Sequence, residues 1–388
     1  MSALPSDFTL LQVVPRLETG GAEQTTLDIA AAVRAAGGRS IVASMGGRME
    51  AGLQESGSEL ERMTVHSKNP FVILANAWRL SSLIRRRKVS LVHVRSRAPA
   101  FSAVLAARMT GAHLVATYHG VYNARSALKR WYNGIMTRGE VVIANSEFTR
   151  RHVIAQHHVD PAKVVAIPRG VDIARFDPRA VPAERKAALA KAWNLDPADS
   201  RVRILLAGRL TRWKGQSLAI QALAELKARG VDGFLLILAG DSQGRANYQA
   251  ELEAAVRTHG LLEQVRIAGH CTDMPAAYAL SDLAIAPSLD PEAFGRTAVE
   301  PQAMGVPVIA ADHGATRETV VPGETGWLAA PGDASAWADA LRAAITLGPD
   351  GRRRMGETAA IRARALYSVE AMCEATIQVY ARVVGHIR

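Results

Sequence analysis

The chain predicts two open α/β domains, each a parallel sheet layered with helices. Three observations lead there. Short apolar runs of strand length alternate with helical patterns along nearly the whole chain. Its 388 residues suffice for two separate hydrophobic cores. The stretch Arg175–Arg185, with Pro178 and Pro182 among alanines and charges, interrupts the alternation and reads as a linker. Ligands in such sheets bind beyond the C-terminal strand ends, so the cleft between the domains is the expected site.

The first alternation opens with the strand Thr9–Pro15, an apolar run closed by proline. The helix Glu23–Ala36 follows, then strands Arg39–Ser44 and Arg62–Val65. The helical segment Phe71–Arg87 leads to strand Leu91–Val94, and Ala98–Met109 to strand His113–His119. Strands Glu140–Ser146 and Val164–Pro168 complete the half. After the linker come strand Val202–Ala207, helix Gln216–Arg229, strand Phe234–Ala239, helix Ala246–His259 and strand Val265–Ala268. Leu283–Pro287, Pro307–Ala311 and Gly326–Ala329 are the last strands. The apolar runs are too short for helices, and the longer segments carry the helical period. The halves show no sequence repeat, low-complexity tract or coiled-coil heptads.

About half the residues are apolar and a fifth charged, as in ordinary globular proteins. Two cysteines far apart, Cys271 and Cys373, make neither a disulfide framework nor a metal cluster, and fit a reducing cytoplasm. Met1 to Leu10 lacks the pattern of a signal peptide, and no segment has the roughly 20 apolar residues needed to span a bilayer. The net charge of +11 is uneven. Residues 1–170 hold 22 Lys and Arg against 11 Asp and Glu, and residues 171–388 hold 25 of each. Such a field attracts nucleic acid, anionic lipid or a phosphorylated substrate, or simply solubilises the surface.

The candidate motifs stand at strand ends. Gly20-Gly21-Ala22-Glu23 follows the first strand and opens a helix. Its glycines either make a tight turn or let an anion approach the helix N-terminus. Gly208-Arg209 and Lys214-Gly215 bracket a strand-to-helix loop on which two cations can converge on a diphosphate. Ala239-Gly240-Asp241 and Gly269-His270-Cys271-Thr272-Asp273 offer small residues that clear space for a flat base, or structural turns. The strongest motif is Pro291-Glu292-Ala293-Phe294-Gly295-Arg296-Thr297-Ala298-Val299-Glu300. Its first Glu lies in a loop and its second in the first turns of a helix. One carboxylate can accept hydrogen bonds from sugar hydroxyls while the other accepts them from a ribose diol.

These pieces, in this order, resemble the glycosyltransferase family 4 enzymes of the GT-B fold, whose two Rossmann-like α/β/α domains face each other across a cleft. Glu292 and Glu300 match the family's E-x7-E motif. Arg209 and Lys214 resemble its diphosphate-binding pair, and Gly20-Gly21 its first glycine loop. Ile167-Pro168-Arg169-Gly170-Val171-Asp172 is similar to its domain-junction motif, with Arg169 where Asn is usual. The resemblance implies an acceptor-binding domain over 1–175, a nucleotide-sugar domain over 176–366, and a C-terminal crossover, 367–388, packing back on the first. It implies that Arg209 and Lys214 stabilise the leaving diphosphate, with no metal required. Glu300 would hold the ribose. Glu292, with backbone N–H groups from Phe294, Gly295, Arg296 and Thr297, would hold the donor sugar. Gly208, Gly240, His270 and Cys271 would border the nucleotide, and Gly21 and His119 would approach the transferred group from the first domain. Transfer would retain anomeric configuration, so neither Glu need be a nucleophile, unlike the carboxylates of many glycosidases. Pro301 directly after Glu300 is tolerated only in a first helical turn, so the helix should begin near Arg296 or Thr297.

The basic excess lies in the half that the resemblance assigns to the acceptor. Arg85-Arg86-Arg87-Lys88 forms one cluster, and Arg125, Lys129 and Arg130 beside Trp131-Tyr132 another. Phe71, Ile73, Leu74 and Trp78 make an apolar face. This combination suits a bilayer carrying anionic lipid, so peripheral contact with the cytoplasmic face of the inner membrane is expected. The finer likeness is to bacterial lipopolysaccharide-core mannosyltransferases. It implies transfer of mannose from GDP-mannose to a phosphorylated lipid-linked saccharide. UDP-GlcNAc- or UDP-glucose-dependent transfer and a UDP-sugar 2-epimerase are the alternatives. No nucleic-acid module is recognised, so nucleic acid is not an expected partner.

Overall fold

The computed structural model describes residues 4–18, 20–122, 124–242, 244 and 246–385. The chain forms two compact units. One runs to Gly170 and takes back the residues from Val369, and the other is Val171–Ser368. The first break thus falls ahead of the expected boundary at 175. Arg175–Arg185 is not a linker: Phe176 and Val181 are buried in the core of the second unit. A 3-10 turn, Pro178–Ala180, and the helix Ala183–Ala192 take up the prolines and charges that suggested one.

The first unit holds seven strands: β1 (Thr9–Val13), β2 (Arg39–Ser44), β3 (Glu59–Arg62), β4 (Leu91–Val94), β5 (His113–Tyr118), β6 (Val141–Ala144) and β7 (Val164–Ala166). They form one sheet in the order β3-β2-β1-β4-β5-β6-β7, every neighbour parallel. β3 precedes the expected Arg62–Val65. It is a half-exposed edge strand, and the apolar Met63 and Val65 that drew the reading forward are buried just beyond it. Both faces of the sheet are covered, which is why its strands read as plain apolar runs. The helices Gly21–Ala35 and Val369–Val383 cover one face, packing Ile29, Val33, Ile377 and Tyr380 on Leu10, Leu91 and Val115. The helices Pro70–Arg87 and Arg97–Thr110 cover the other, packing Leu80 and Ala103 on Leu11, Val92 and Ala116.

The second unit holds β8 (Val202–Ala207), β9 (Phe234–Ala239), β10 (Val265–Gly269), β11 (Leu283–Ala286), β12 (Val308–Ala311) and β13 (Gly326–Ala329). Their order is β10-β9-β8-β11-β12-β13, again parallel. Both sheets therefore reverse direction beside their first strand, between β1 and β4 and between β8 and β11. The crevice outside the strand ends at such a switch point is where doubly wound sheets bind ligands. Among the described residues no helix is long and apolar enough to cross a membrane.

Candidate active site

In the second unit the two loops at the switch point meet. The chain leaves β8 through Gly208 and Arg209, makes the 3-10 turn Arg212–Lys214, and enters the helix Gln216–Ala228. Buried Gln216 holds this loop, donating from Nε2 to the Arg209 carbonyl at 2.9 Å and accepting from the Tyr248 hydroxyl at 3.3 Å. The loop after β11 is held by His313 Nε2, which donates to the Ser288 carbonyl at 2.8 Å, and by the Ala315 N–H, which donates to the Glu292 carbonyl at 2.9 Å. Lys214 Nζ then donates to Glu292 Oε1 at 2.5 Å, and the Ser288 hydroxyl donates to the same oxygen at 2.8 Å. The two side chains are only 12% and 14% exposed. A cation and a carboxylate read from separate motifs are thus one ion pair. Arg209 projects into solvent, and its side chain has no hydrogen bond or ion pair among the described residues.

Gly215 lets the two loops meet. Its φ of +76° is disfavoured for L side chains, and a Cβ there would lie 1.9 Å from the Pro287 carbonyl oxygen. We expect Gly215→Ala to cost at least ~2 kcal/mol. Its melting temperature should fall, and a normal melting curve would show that the loops need not touch.

Gly295, at φ +78°, caps the helix Arg296–Ala303, which begins at Arg296 as expected. The Ala298 N–H donates to the Gly295 carbonyl at 2.9 Å, which leaves the Arg296 and Thr297 N–H groups as the helix-start donors without an intrahelical acceptor. The Phe294 ring is core, packed edge-on against Tyr367 at 5.7 Å, so only its backbone is available to a ligand. Pro301 lies beyond the first turn, in the second, and the helix ends two residues after it. Glu300 points inward. The Tyr278 hydroxyl donates to its Oε2 at 3.3 Å, and Arg296 lies 3.9 Å from Oε1. Burial raises the Glu300 pKa above its ordinary 4.5, against the opposing pull of Arg296, Tyr278, Arg175 and Lys214. Burial, then Glu300 itself, holds the Tyr278 phenol protonated. Cys271 is half-buried beside this pair, its thiol pKa raised by burial, whereas His270 is exposed. Gly240 packs on the Gly208 carbonyl, where a Cβ would lie at 1.8 Å.

In the first unit Gly20 caps and Gly21 opens the helix Gly21–Ala35. Beside them stand His119, just after β5, and Arg169. Arg169 Nη2 lies 3.2 Å from His119 Nδ1, and its Nη1 lies 2.2 Å from where a Gly21 Cβ would be. Guanidinium only donates, so Nδ1 accepts and the imidazole proton sits on Nε2. Burial, then Arg169 and Arg95, drives the His119 pKa well below 6.5 and keeps the ring neutral. Nε2 is buried with no hydrogen-bond partner among the described residues, a donor left for a ligand oxygen.

Two residues that sequence reasoning missed, Arg95 and His93, complete this end of the sheet. Arg95, 2% exposed, donates from Nε to Gln12 Oε1 at 2.6 Å. His93 joins the Tyr380 hydroxyl at 2.5 Å to Thr117 Oγ1 at 2.7 Å. The alternation in Leu91-Val92-His93-Val94-Arg95 was the available signal, since it sets His93 and Arg95 on one face.

Cations, carboxylates and a helix N-terminus are gathered at the switch point of the second of two doubly wound units. Residues 19–175 match Glycosyltransferase Family 4, and residues 190–362 match Glycosyl transferases group 1. The chain belongs to the family 4 glycosyltransferases. It is similar to the crystal structure of a glycosyltransferase from Rickettsia africae, with 33% identity and a TM-score of 0.90 over 98% of this chain and 100% of that one. It is 34% identical to a D-inositol 3-phosphate glycosyltransferase of Kineococcus radiotolerans over 64% of this chain, and spans 59% of that relative's length. The Anabaena HepE protein in complex with UDP-glucose, 22% identical over 96% of this chain and 99% of that one, shares the GT-B fold, with a TM-score of 0.81.

Proposed function

We propose that this protein transfers a hexose from a nucleoside diphosphate sugar to a phosphorylated acceptor, with retention of configuration. The observation that carries the reading is the joining of Lys214, Glu292 and Ser288 next to buried Glu300 at a Rossmann switch point. The second unit holds the donor. Glu300 accepts from the ribose hydroxyls, and Arg209 and Lys214 neutralise the diphosphate as it leaves. Glu292 and the first-turn N–H groups at Arg296 take the sugar hydroxyls. With two cations at the leaving group the step needs no divalent ion. The first unit presents the acceptor, and the neutral His119 donates from Nε2 to a sugar oxygen.

The first donor we propose is GDP-mannose, with UDP-GlcNAc and UDP-glucose as alternatives. The first acceptor is a lipid-linked, phosphate-bearing saccharide such as lipopolysaccharide core, met at an anionic membrane surface. Support for it is the exposed aromatic and basic surface of the first unit. A second acceptor reading, a soluble inositol phosphate, is favoured by the Kineococcus relative's name. Both acceptors carry a phosphate.

A thermal-shift panel of nucleotide sugars tests the donor. GDP-mannose should raise the melting temperature more than either UDP-sugar, and the reverse order would transfer the proposal to a UDP donor. Stabilisation by none of them would overturn the functional reading. Product analysis without acceptor separates transfer from epimerisation, since a 2-epimerase releases an altered nucleotide sugar. EDTA should leave transfer unchanged.

A further inference from the structure

The hollow between the start of the helix Pro70–Arg87 and the helix Ala127–Gly134 is lined almost wholly by hydrocarbon. It measures about 420 Å³, with Ile73, Leu74, Phe101, Trp131 and Tyr132 in its walls. Large apolar side chains stand exposed on its two helices: Phe71 at 81% and Trp78 at 67% on the first, Leu128 at 72% and Trp131 at 63% on the second. Phe71, Leu74 and Trp78 fall on one helical face. Lone exposed apolar residues are ordinary, but a contiguous group around an apolar hollow marks a binding surface.

The charge around the hollow selects its occupant. From Arg62 to Gly139 the chain carries fourteen Lys and Arg and no Asp or Glu. Lys68 lines the hollow, and Lys129 and Arg130 lie on its second helix. Arg97 adjoins the hollow, one residue before the lining Ala98. Its guanidinium lies 5.8 Å from the Tyr132 ring centroid and 4.0 Å from that of Tyr122. It donates to Asn133 Oδ1 at 2.9 Å, and no carboxylate pairs with it among the described residues. Tyr122 packs against Tyr118 in a tilted pair at 4.5 Å, and it lies beside the His119 backbone and Arg169. Hydrocarbon wall, guanidinium and the imidazole of the candidate site thus follow one another within a single unit. The basic cluster Arg85–Lys88 is at the far end of its helix and takes no part.

We propose that this hollow receives the hydrocarbon chain of an anionic lipid whose phosphate sits at Arg97, so that the lipid's headgroup points toward His119. This rests on the proposed function, and makes the acceptor's own lipid the occupant. Bilayer adsorption supplies the apolar and electrostatic attraction. The hollow adds selection of one chain with one phosphate, which guanidinium recognises through its planar fork of donors.

The probe is dodecyl phosphate below its micellar concentration, titrated calorimetrically into the full chain, with dodecyl maltoside and inorganic phosphate as comparisons. Dodecyl phosphate should bind at least about tenfold more tightly than either. Ala98→Trp, which fills the hollow, and Leu74→Asp, which charges its wall, should each weaken it by about tenfold or more. Arg97→Gln should abolish the preference for dodecyl phosphate over the maltoside. Circular dichroism and melting curves establish that each variant folds. Three results would overturn the proposal: no saturable binding, equal binding of inorganic phosphate, or binding untouched by both hollow variants. Displacement of the probe by a short RNA would reassign the basic surface to nucleic acid and overturn it too. Nucleotide-sugar stabilisation of the same sample, measured in parallel, separates failure of the lipid site from failure of the glycosyltransferase reading.

Discussion

Alanine at Arg209 or at Lys214 is expected to lower the turnover of sugar transfer by about two to three orders of magnitude, the usual loss of a charge-stabilising donor. The two variants should differ sharply in stability. Lys214 is almost buried and bonded to Glu292, so removing it leaves a carboxylate enclosed without its cation. Breaking one partner of a buried pair costs about 3 kcal/mol, and in a unit of this size that is about 6–12 °C of melting temperature. Arg209 is exposed, so its loss should stay within about 0.5 kcal/mol. A second change separates the two roles of Lys214. Glu292→Gln in the Lys214→Ala background removes the stranded charge and should restore much of the melting temperature while activity stays low. If Arg209→Ala turns over normally, the diphosphate is not held by this pair. If Lys214→Ala melts like the parent, the ion pair contributes nothing in solution.

Most of the fold was legible because both sheets are buried on both faces. A parallel strand covered on two sides reads as an unbroken apolar run, and β2, β4, β8, β9 and β13 have the limits expected of them. The edge strand β3 escaped because one side of it meets water, which removes the run that marks a buried strand. Arg175–Arg185 was misread for a related reason. Composition averages over a segment, whereas Phe176 and Val181 alone decide that it joins a core.

The site was legible as a set of motifs but not as a set of contacts. Spacing within one loop can place Glu292 and Glu300, because both hang from one helix start. It cannot show that Lys214, arriving from another strand, would bond to Glu292, since that depends on the Gly215 backbone lying against Pro287. The same limit hid Arg169. In the sequence it stood only as a departure from a motif, Arg where Asn is usual. Its contact with His119 and Gly21 comes from β7 and β5 ending together, which only the sheet order determines. Arg95 was missed because a charge after an apolar strand looks like a surface turn, and here the helix Val369–Val383 covers it with Tyr380.

Glu300→Gln is expected to move stability and function in opposite directions. Burial raises the folded-state pKa of Glu300 above the 4.5 of an exposed glutamate. A group raised in this way contributes stability that is full below the unfolded pKa and is lost as pH rises through the folded one. At neutral pH the carboxylate is therefore a cost to the unliganded fold, and a neutral amide of the same shape removes it. Glu300→Gln should melt higher than the parent at pH 7, by about 2–4 °C for each kcal/mol relieved. The difference should shrink on acidification and vanish below pH 4.5, where the parent glutamate is protonated in both states. Donor binding should weaken, because hydrogen bonds to a charged acceptor contribute about 1.5–3 kcal/mol, or roughly 10- to 100-fold in affinity. In the parent, donor affinity should fall with acidification at a higher pH than an exposed glutamate would give, and in the variant that dependence should be absent. Melting curves from pH 4 to 8, with and without the nucleotide sugar, measure both effects on one sample. A glutamate that only favoured its helix N-terminus would lose stability on conversion to glutamine and leave donor affinity untouched, so the signs of the two changes distinguish a ribose ligand from a helix-end charge.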